Sequence, residues 1–363
     1  MIGNKIIFMK KLALLIILLL PAIVMAAPPI YPTVMPNTAL TFPRDHGAHL
    51  QYRTEWWYVT GWLKTTEGKP LGFQVTFFRT RPGIDQSNPS PFSPKQLLFA
   101  HAAISDPAQG RLLHDQRGAR SGFDLAQASE SDTHVRIGEW TLQRNANGQY
   151  QTHIQAREFD LQLNLQPTQA LLLQGDKGYS RKGKTPAQAS YYYSQPQLAV
   201  SGTVKREGKK IAVRGTAWLD HEWSTSVLDK DASGWDWVGL NLDDGGALMA
   251  FRIRDTSGKT LWASGTQRDA QGQVHTLSQS QINFTPTQHW RSPRTATEYP
   301  IAMQVQAGEL KLQLEPLIED QELDSRMSTG AVYWEGAVTA LQNGRRIGRG
   351  YLELTGYFKT LKF

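Results

Sequence analysis

Trp235-Asp-Trp-Val-Gly-Leu-Asn-Leu242, Asp243-Asp-Gly-Gly246 and Ala247-Leu-Met-Ala-Phe-Arg-Ile-Arg254 read in succession as strand, turn and strand. Two apolar runs of strand length flank a Gly-rich reversal, which is the signature of a β-hairpin. The pattern goes on through Asp255-Thr-Ser-Gly258 into Thr260–Arg268, and through Asp269-Ala-Gln-Gly272 into Val274–Ser278. Turn chemistry recurring about every 8–12 residues predicts an antiparallel meander closing into a barrel or sandwich. Upstream, Trp56–Lys64, Thr66-Glu-Gly-Lys-Pro70 and Leu71–Arg79 predict another hairpin. Helical periodicity is scarce, so the fold class is all-β.

The chain also repeats itself. Trp56-Trp-Tyr-Val59 opens one hairpin and Trp235-Asp-Trp-Val238 opens another; they end in Phe78-Arg79 and Phe251-Arg252. Later, Gly202-Thr-Val204, Glu207-Gly208 and Ile211-Ala-Val-Arg-Gly215 match Gly336-Ala-Val338, Asn343-Gly344 and Ile347-Gly-Arg-Gly350 in the same order. A duplication at this spacing predicts two similar β domains in tandem, 38–226 and 227–363. The polar stretch Ser224–Gly234 is the expected junction. On this alignment Asp220-His-Glu-Trp223 falls opposite Thr355-Gly-Tyr-Phe358, so the first half ends polar and the second apolar.

Composition narrows the function classes. The 363 residues are 40% hydrophobic and 20% charged, which is globular. Lys10-Lys11, the apolar run Leu12–Val24 and the small residues before Ala27 predict an export leader over 1–26, with Met9 an alternative start. The expected location is periplasmic or secreted. There is no Cys, so disulfides and thiol nucleophiles are excluded and a lipoprotein anchor is not expected. The net charge of +7 is not organised into a basic stripe, so nucleic acid is not an expected partner. The one cluster, Lys177, Arg181, Lys182 and Lys184, sits beside Gly and Pro and reads as a solvated loop, or as a contact for anionic lipid headgroups. Two loops are long: Thr80–Lys95, with four prolines, and Gly175–Ser190, which leads into Tyr191-Tyr-Tyr193. A Gly-x-Ser-x-Gly elbow, a His-Glu-x-x-His pair and a phosphate-binding loop are all missing. No metal or cofactor is expected.

Chemistry concentrates in Gly215-Thr-Ala-Trp-Leu-Asp-His-Glu-Trp223. On an extended backbone His221 and Trp223 share one face, while Trp218, Asp220 and Glu222 share the other. Asp220, Glu222 and Asp236 could each supply an acid. Asp236 stands between Trp235 and Trp237, a setting suited to a raised pKa. The same residues could equally form a polar clasp between two barrels.

In chain order, Glu55-Trp-Trp-Tyr-x-x-Gly61, His101-Ala-Ala-Ile-Ser-Asp106, Tyr191-Tyr-Tyr-Ser194 with Leu198, Trp218-Leu-Asp-His-Glu-Trp223 and Trp235-x-Trp-x-Gly-Leu240 resemble the AttH-like family that includes the carotenoid 1,2-hydratases. The resemblance implies two tandem lipocalin-like antiparallel β-barrels. It also implies that His221 and Trp223 face the pocket. Two functions then stand open. One is an exported carrier of a long apolar lipid or isoprenoid, working at a membrane surface or with a transporter. The other is a hydro-lyase that protonates an isoprenoid double bond and adds water. For either, the expected catalytic residues are Asp220, His221 and Asp236. The expected ligand-binding residues are Trp57, Tyr192, Trp218, Glu222, Trp223, Trp235 and Trp237.

Overall fold

A computed structural model describes residues 30–84, 88–226 and 228–361. The expected leader and the alternative start at Met9 lie outside the described residues, as does Val227, the first residue of the expected second domain. The described fold is all-β with two short 3-10 turns.

The first sheet contains β1 Thr54–Thr65, β2 Pro70–Thr80, β3 Leu97–Ser105, β4 Leu112–Arg120, β5 Ala126–Ala128, β6 His134–Ile137 and β7 Trp140–Arg144. It continues with β8 Tyr150–Gln155, β9 Phe159–Gln166, β10 Leu172–Leu173, β11 Tyr179–Arg181, β12 Ala189–Arg206 and β13 Lys209–Ser226. The second contains β14 Gly234–Leu242, β15 Ala247–Arg254, β16 Thr260–Arg268, β17 Val274–Leu277 and β18 Ile282–Arg291. Its remaining strands are β19 Glu298–Ala307, β20 Leu310–Pro316, β21 Glu322–Ser325, β22 Ala331–Gln342 and β23 Arg345–Leu354. The expected hairpins are present to within a residue or two. Gly175–Ser190 is less of a loop than expected, because β11 within it pairs with β12.

Strand order runs β4-β3-β2-β1-β13-β12-β9-β8-β7-β6-β5 in one sheet and β17-β16-β15-β14-β23-β22-β20-β19-β18 in the other. Each repeat is an antiparallel meander whose first strand pairs with its last. The result is two tandem lipocalin-like barrels. By contacts, both sheets belong to one compact unit, 31–82 with 94–363. The other unit contains, among the described residues, Ile30 and parts of the proline-rich loop 83–93, where Ser93 N donates to Ser90 O.

Burial explains which strands meet. β9 reads Phe-Asp-Leu-Gln-Leu-Asn-Leu-Gln, and its apolar residues are buried while its polar ones are not. One face of β9 therefore meets the core and the other meets solvent. β1 reads Thr-Glu-Trp-Trp-Tyr-Val-Thr-Gly-Trp-Leu-Lys-Thr and is buried almost throughout. Its Trp57 and Val59 fill the first barrel, while Tyr58 and Trp62 pack with Trp218, Trp237, Met249, Phe251 and Tyr351 in a core between the barrels. Strands that are apolar on both faces need cover on both, and each barrel provides it for the other.

Close approach within the second barrel requires Gly350. A Cβ there would stand 1.8 Å from the Gly239 carbonyl oxygen on β14. The Gly350 carbonyl also accepts from Trp62 Nε1 at 3.0 Å, across the inter-barrel core. Gly350→Ala is expected to cost about 1–3 kcal/mol of stability, the usual range for overpacking. An unchanged urea midpoint in that variant would show that β23 and β14 do not approach this closely.

Candidate functional site

A cavity opens between the two barrels, with about 810 Å3 of space unfilled by protein atoms, the open solvent at its mouth included. β1 and β2 supply Trp56, Tyr58, Thr76 and Phe78; β12 and β13 supply Tyr192, Asp220 and Glu222. The second barrel supplies Trp235, Trp237, Phe251, Ile253, Tyr333, Glu335 and Glu353, and Lys182 comes from just beyond β11. The wall is thus an aromatic shell with four carboxyl groups and a single cationic side chain.

The four carboxyls are held differently. Glu222 is ion-paired with Lys182 at 2.8 Å and accepts from Ser190 Oγ. The Lys182 ammonium also lies 4.7 Å from the Tyr192 ring centroid and 4.2 Å from that of Phe251. Lys182 is therefore a buried cation tying one barrel to the other rather than the solvated loop residue expected from its neighbours.

Asp220 accepts from Tyr192 OH at 2.7 Å, Ser194 Oγ at 2.5 Å and Trp218 Nε1 at 2.6 Å. Trp237 Nε1 in turn donates to Tyr192 OH at 3.1 Å, so the second barrel polarises a donor of the first. Burial pushes Asp220 up to about 7, against the pull of its three donors. Glu353 accepts from Trp235 Nε1 at 3.0 Å. Burial also raises it to about 7, opposed by the Trp235 bond and aided by the charges of Asp220 and Glu222.

Glu335 is the most isolated of the four. Burial and the neighbouring Glu353 hold it well above the usual carboxylate range. Its neighbour Tyr333 pairs with His101 Nδ1 at 2.7 Å. A chain of bonds settles which of the two donates. Gln116 Nε2 donates to Asp324 O, Ser328 Oγ donates to Gln116 Oε1, and His101 Nε2 contacts Ser328 Oγ at 2.9 Å. The Ser328 proton is committed, so His101 Nε2 carries hydrogen and Nδ1 accepts from Tyr333. Burial lowers His101 to about 3, so the ring is neutral at physiological pH.

The register shows a second relationship. Asp220 stands opposite Tyr58 in the first barrel, and Glu353 stands opposite Trp237 in the second. Tyr58 and Trp237 are matching positions of the two repeats, so the counterpart of Asp220 is Glu353. The expected alignment of Asp220 with Thr355 is two residues out. It was anchored on Gly215 and Gly350, whose pairing with the first strand differs between repeats: Gly215 faces Leu63, whereas Gly350 faces Leu240. The second half is therefore not deprived of its acid.

Several expected site residues stand on this wall: Asp220, Glu222, Tyr192, Trp235 and Trp237. Trp218 shares their face but holds Asp220 instead of lining the space. His221, Trp223 and Trp57, expected at the ligand, do not line this cavity. All three point into the first barrel. His221 stacks on Trp57 at 4.6 Å and bonds Glu55 Oε1 at 2.9 Å, while Trp223 stacks on His49 at 3.7 Å. Glu55 is fully buried and gripped by Arg79 at 2.7 Å. Despite burial, Arg79 and His49 hold it well below its ordinary range. His49, Glu55 and His221 bring ligand-type atoms within 4.8 Å of one another, but Arg79 and the His49 backbone already occupy the carboxylate. Chemically this is a charge-satisfied core.

Asp236 likewise does not line this cavity. It faces the interior of the second barrel, bonded by Arg252 at 2.6 Å, Arg254 at 3.1 Å and Tyr357 OH at 3.0 Å. The flanking Trp235 and Trp237 point the opposite way, into the cavity. A carboxylate held by two guanidiniums is an ion pair, not an isolated acid. Glu335, Glu353 and Tyr58 are not among the expected site residues, and Lys182 is expected only as part of a basic cluster. The signal for the first two was present: each is a lone acid inside an apolar strand, in Val332-Tyr-Trp-Glu-Gly-Ala-Val338 and Tyr351-Leu-Glu-Leu354.

Comparisons agree with this architecture. The sequence model of the AttH-like family matches residues 33–357. A crystal structure described as an AttH candidate from Nitrosomonas europaea is 53% identical, covering 90% of this chain and all of its own, with a TM-score of 0.85. Kievitone hydratase from Nectria haematococca shares the fold at 14% identity, covering 90% of this chain and 97% of its own, with a TM-score of 0.68. CghA in complex with Sch210972 also shares it, at 12% identity over 91% of this chain and 96% of its own, with a TM-score of 0.51. No curated protein matches the chain.

The carboxyl environments predict a pH effect on stability. Glu353 titrates near 7 when folded and near its ordinary value, 4.5, when unfolded. The folded state therefore binds more protons between those values, and stability falls as pH rises through that window. Glu353→Gln keeps an acceptor for Trp235 and removes the titration. Its melting temperature is expected to exceed that of the parent by at least about 3 °C at pH 8, and to differ little at pH 5. An equal shift at both pH values would show that burial does not raise Glu353.

Proposed function

Because the chain belongs to the AttH-like family, we propose that it binds an apolar, unsaturated small molecule between its barrels and transfers protons to and from it. The reaction class is lyase-type addition of water across a double bond. The observation that carries this reading is one cavity whose buried carboxyls, raised alike by burial, are held differently: Asp220 accepts from three donors, whereas Glu335 Oε1 has no hydrogen-bond partner among the described residues. A carrier of apolar cargo gains nothing from burying acids that cost free energy to desolvate. Acid–base catalysis assigns two carboxyls different roles through such unlike surroundings. Glu335, kept protonated, is the general acid. Asp220, supported by three donors when ionised, is the base that takes a proton from water. Trp56, Trp235 and Trp237 present aromatic surfaces that stabilise positive charge developing on the substrate. Kievitone hydratase, which shares only the fold, bears a name in keeping with such chemistry.

A second reading rests on the aromatic wall: a lipid or isoprenoid carrier, exported by the leader read at 1–26 and serving a membrane surface or transporter. Solvent extraction of protein purified from its native source separates the two. A stoichiometric intact lipid supports the carrier.

Under the enzyme reading, incubation with a panel of unsaturated terpenoids in H2 18O is expected to yield a product that has gained one labelled water. Asp220→Asn and Glu335→Gln are each expected to slow it at least about 100-fold. The parent rate is expected to rise with pH through about 7 as Asp220 ionises, and Asp220→Asn should lose that limb. Incorporation of label at the parent rate in both variants would sink the assignment.

A further inference from the structure

Resting on the proton-transfer reading above, we infer that the cavity holds a carbonyl-recognition subsite, in which Tyr58 and Glu335 grip the oxygen of an apolar α,β-unsaturated ketone. The geometry begins with two unfinished groups. Tyr58 OH and Glu335 Oε1 are buried atoms of cavity-lining side chains, and neither has a hydrogen-bond partner among the described residues. Tyr58 is 6% exposed and Glu335 2%. They come from different barrels, on β1 and β22, and interact with each other without reaching hydrogen-bond geometry.

Elsewhere on the wall the polar atoms are engaged. Tyr192 OH lies between Trp237 and Asp220, Tyr333 gives its proton to His101, and Glu222 is closed by Lys182. A buried hydroxyl left unpaired costs about 1–3 kcal/mol. Two of them converging on one space mark where a ligand supplies the missing bonds.

The donor pattern selects the ligand. A phenol O–H and a carboxylic acid O–H both donate, so their natural partner is an oxygen with two lone pairs and no hydrogen. That describes a carbonyl rather than an amine or an isolated alkene. Burial keeps both groups in their protonated, donating forms. A phenol beside a neutral carboxylic acid in an apolar site is a proven way to stabilise an enolate oxygen. The remaining wall is aromatic, which fits an apolar body attached to that carbonyl.

The chemistry balances without any further reactant. Asp220 takes a proton from water as its oxygen bonds to the β-carbon of the enone. The π electrons shift to the carbonyl oxygen, which receives the proton of Glu335 to give an enol. The enol returns that proton to Glu335 as its α-carbon takes the proton held by Asp220. Water has added across the double bond, and both carboxyls are restored. Tyr58 donates a hydrogen bond to the oxygen throughout.

The test uses a matched pair of probes, 2-acetylnaphthalene and 2-ethylnaphthalene, which differ by a carbonyl in place of a methylene. Binding is measured by fluorescence titration to the full chain, to Tyr58→Phe and to Glu335→Leu. The parent is expected to bind the ketone at least about ten-fold more tightly than the hydrocarbon, the worth of a desolvated hydrogen bond. Both variants should lose that preference while binding the hydrocarbon as the parent does, which also shows that they are folded. Equal binding of the two probes by the parent would overturn the carbonyl subsite and leave the proton-transfer reading intact. A preference that survives in both variants would likewise overturn it. Binding of neither probe would remove the apolar cavity itself, and the proposed function with it.

Discussion

Everything at the cavity depends on strands that are buried on both faces. β1, β2, β12 and β13 of one barrel meet β14, β15, β22 and β23 of the other, and neither set can be left to water. Apolar area of this kind stabilises by roughly 25 cal/mol per Å2 removed from solvent. The same dry wall determines the chemistry of any polar group placed in it. Asp220, Glu335 and Glu353 are raised because burial penalises their charged forms, before any neighbour is considered.

The two repeats share this wall unequally. Matching rows carry Tyr58, Asp220 and Ser194 in the first barrel and Trp237, Glu353 and Glu335 in the second. In the first row a hydroxyl donor sits beside the acid, and Tyr192 and Trp218 add two more. In the second row an acid sits beside an acid, with Trp235 as the donor to Glu353. A duplicated scaffold has thus been filled so that its two carboxyl rows differ in their hydrogen-bond donors. A second polar cluster, Glu55 with Arg79, His49 and His221, occupies the interior of the first barrel. It closes on itself and presents nothing to the cavity.

How far the sequence was legible follows from particular residues. The hairpins were readable because Gly-containing turns such as Asp243–Gly246 and Asp255–Gly258 bracket runs of strand length. Alternation correctly separated Asp220 and Glu222 from His221 and Trp223. It could not say which face meets the cavity, because both faces of β13 are buried over that span. Asp236 shows the same limit. Its Trp neighbours do line the cavity, but a period of two sends Asp236 inward to Arg252 and Arg254 on the partner strand of its own hairpin. Lys182 looked solvated because its neighbours are Gly, Lys and Arg, whereas tertiary packing laid it across Tyr192 and Phe251.

By itself the sequence determined an all-β chain, its turns, its duplication and its family, since these rest on local periodicity and ordered motifs. Only the tertiary structure decided which acids meet. Glu335 and Glu353 lie more than a hundred residues from Asp220, and a two-residue difference in register makes Glu353, not Thr355, its counterpart. Register is set by contacts between strands that are not neighbours in sequence. Acidity is set by how thoroughly those contacts exclude water. Neither quantity is written in any single stretch of the chain.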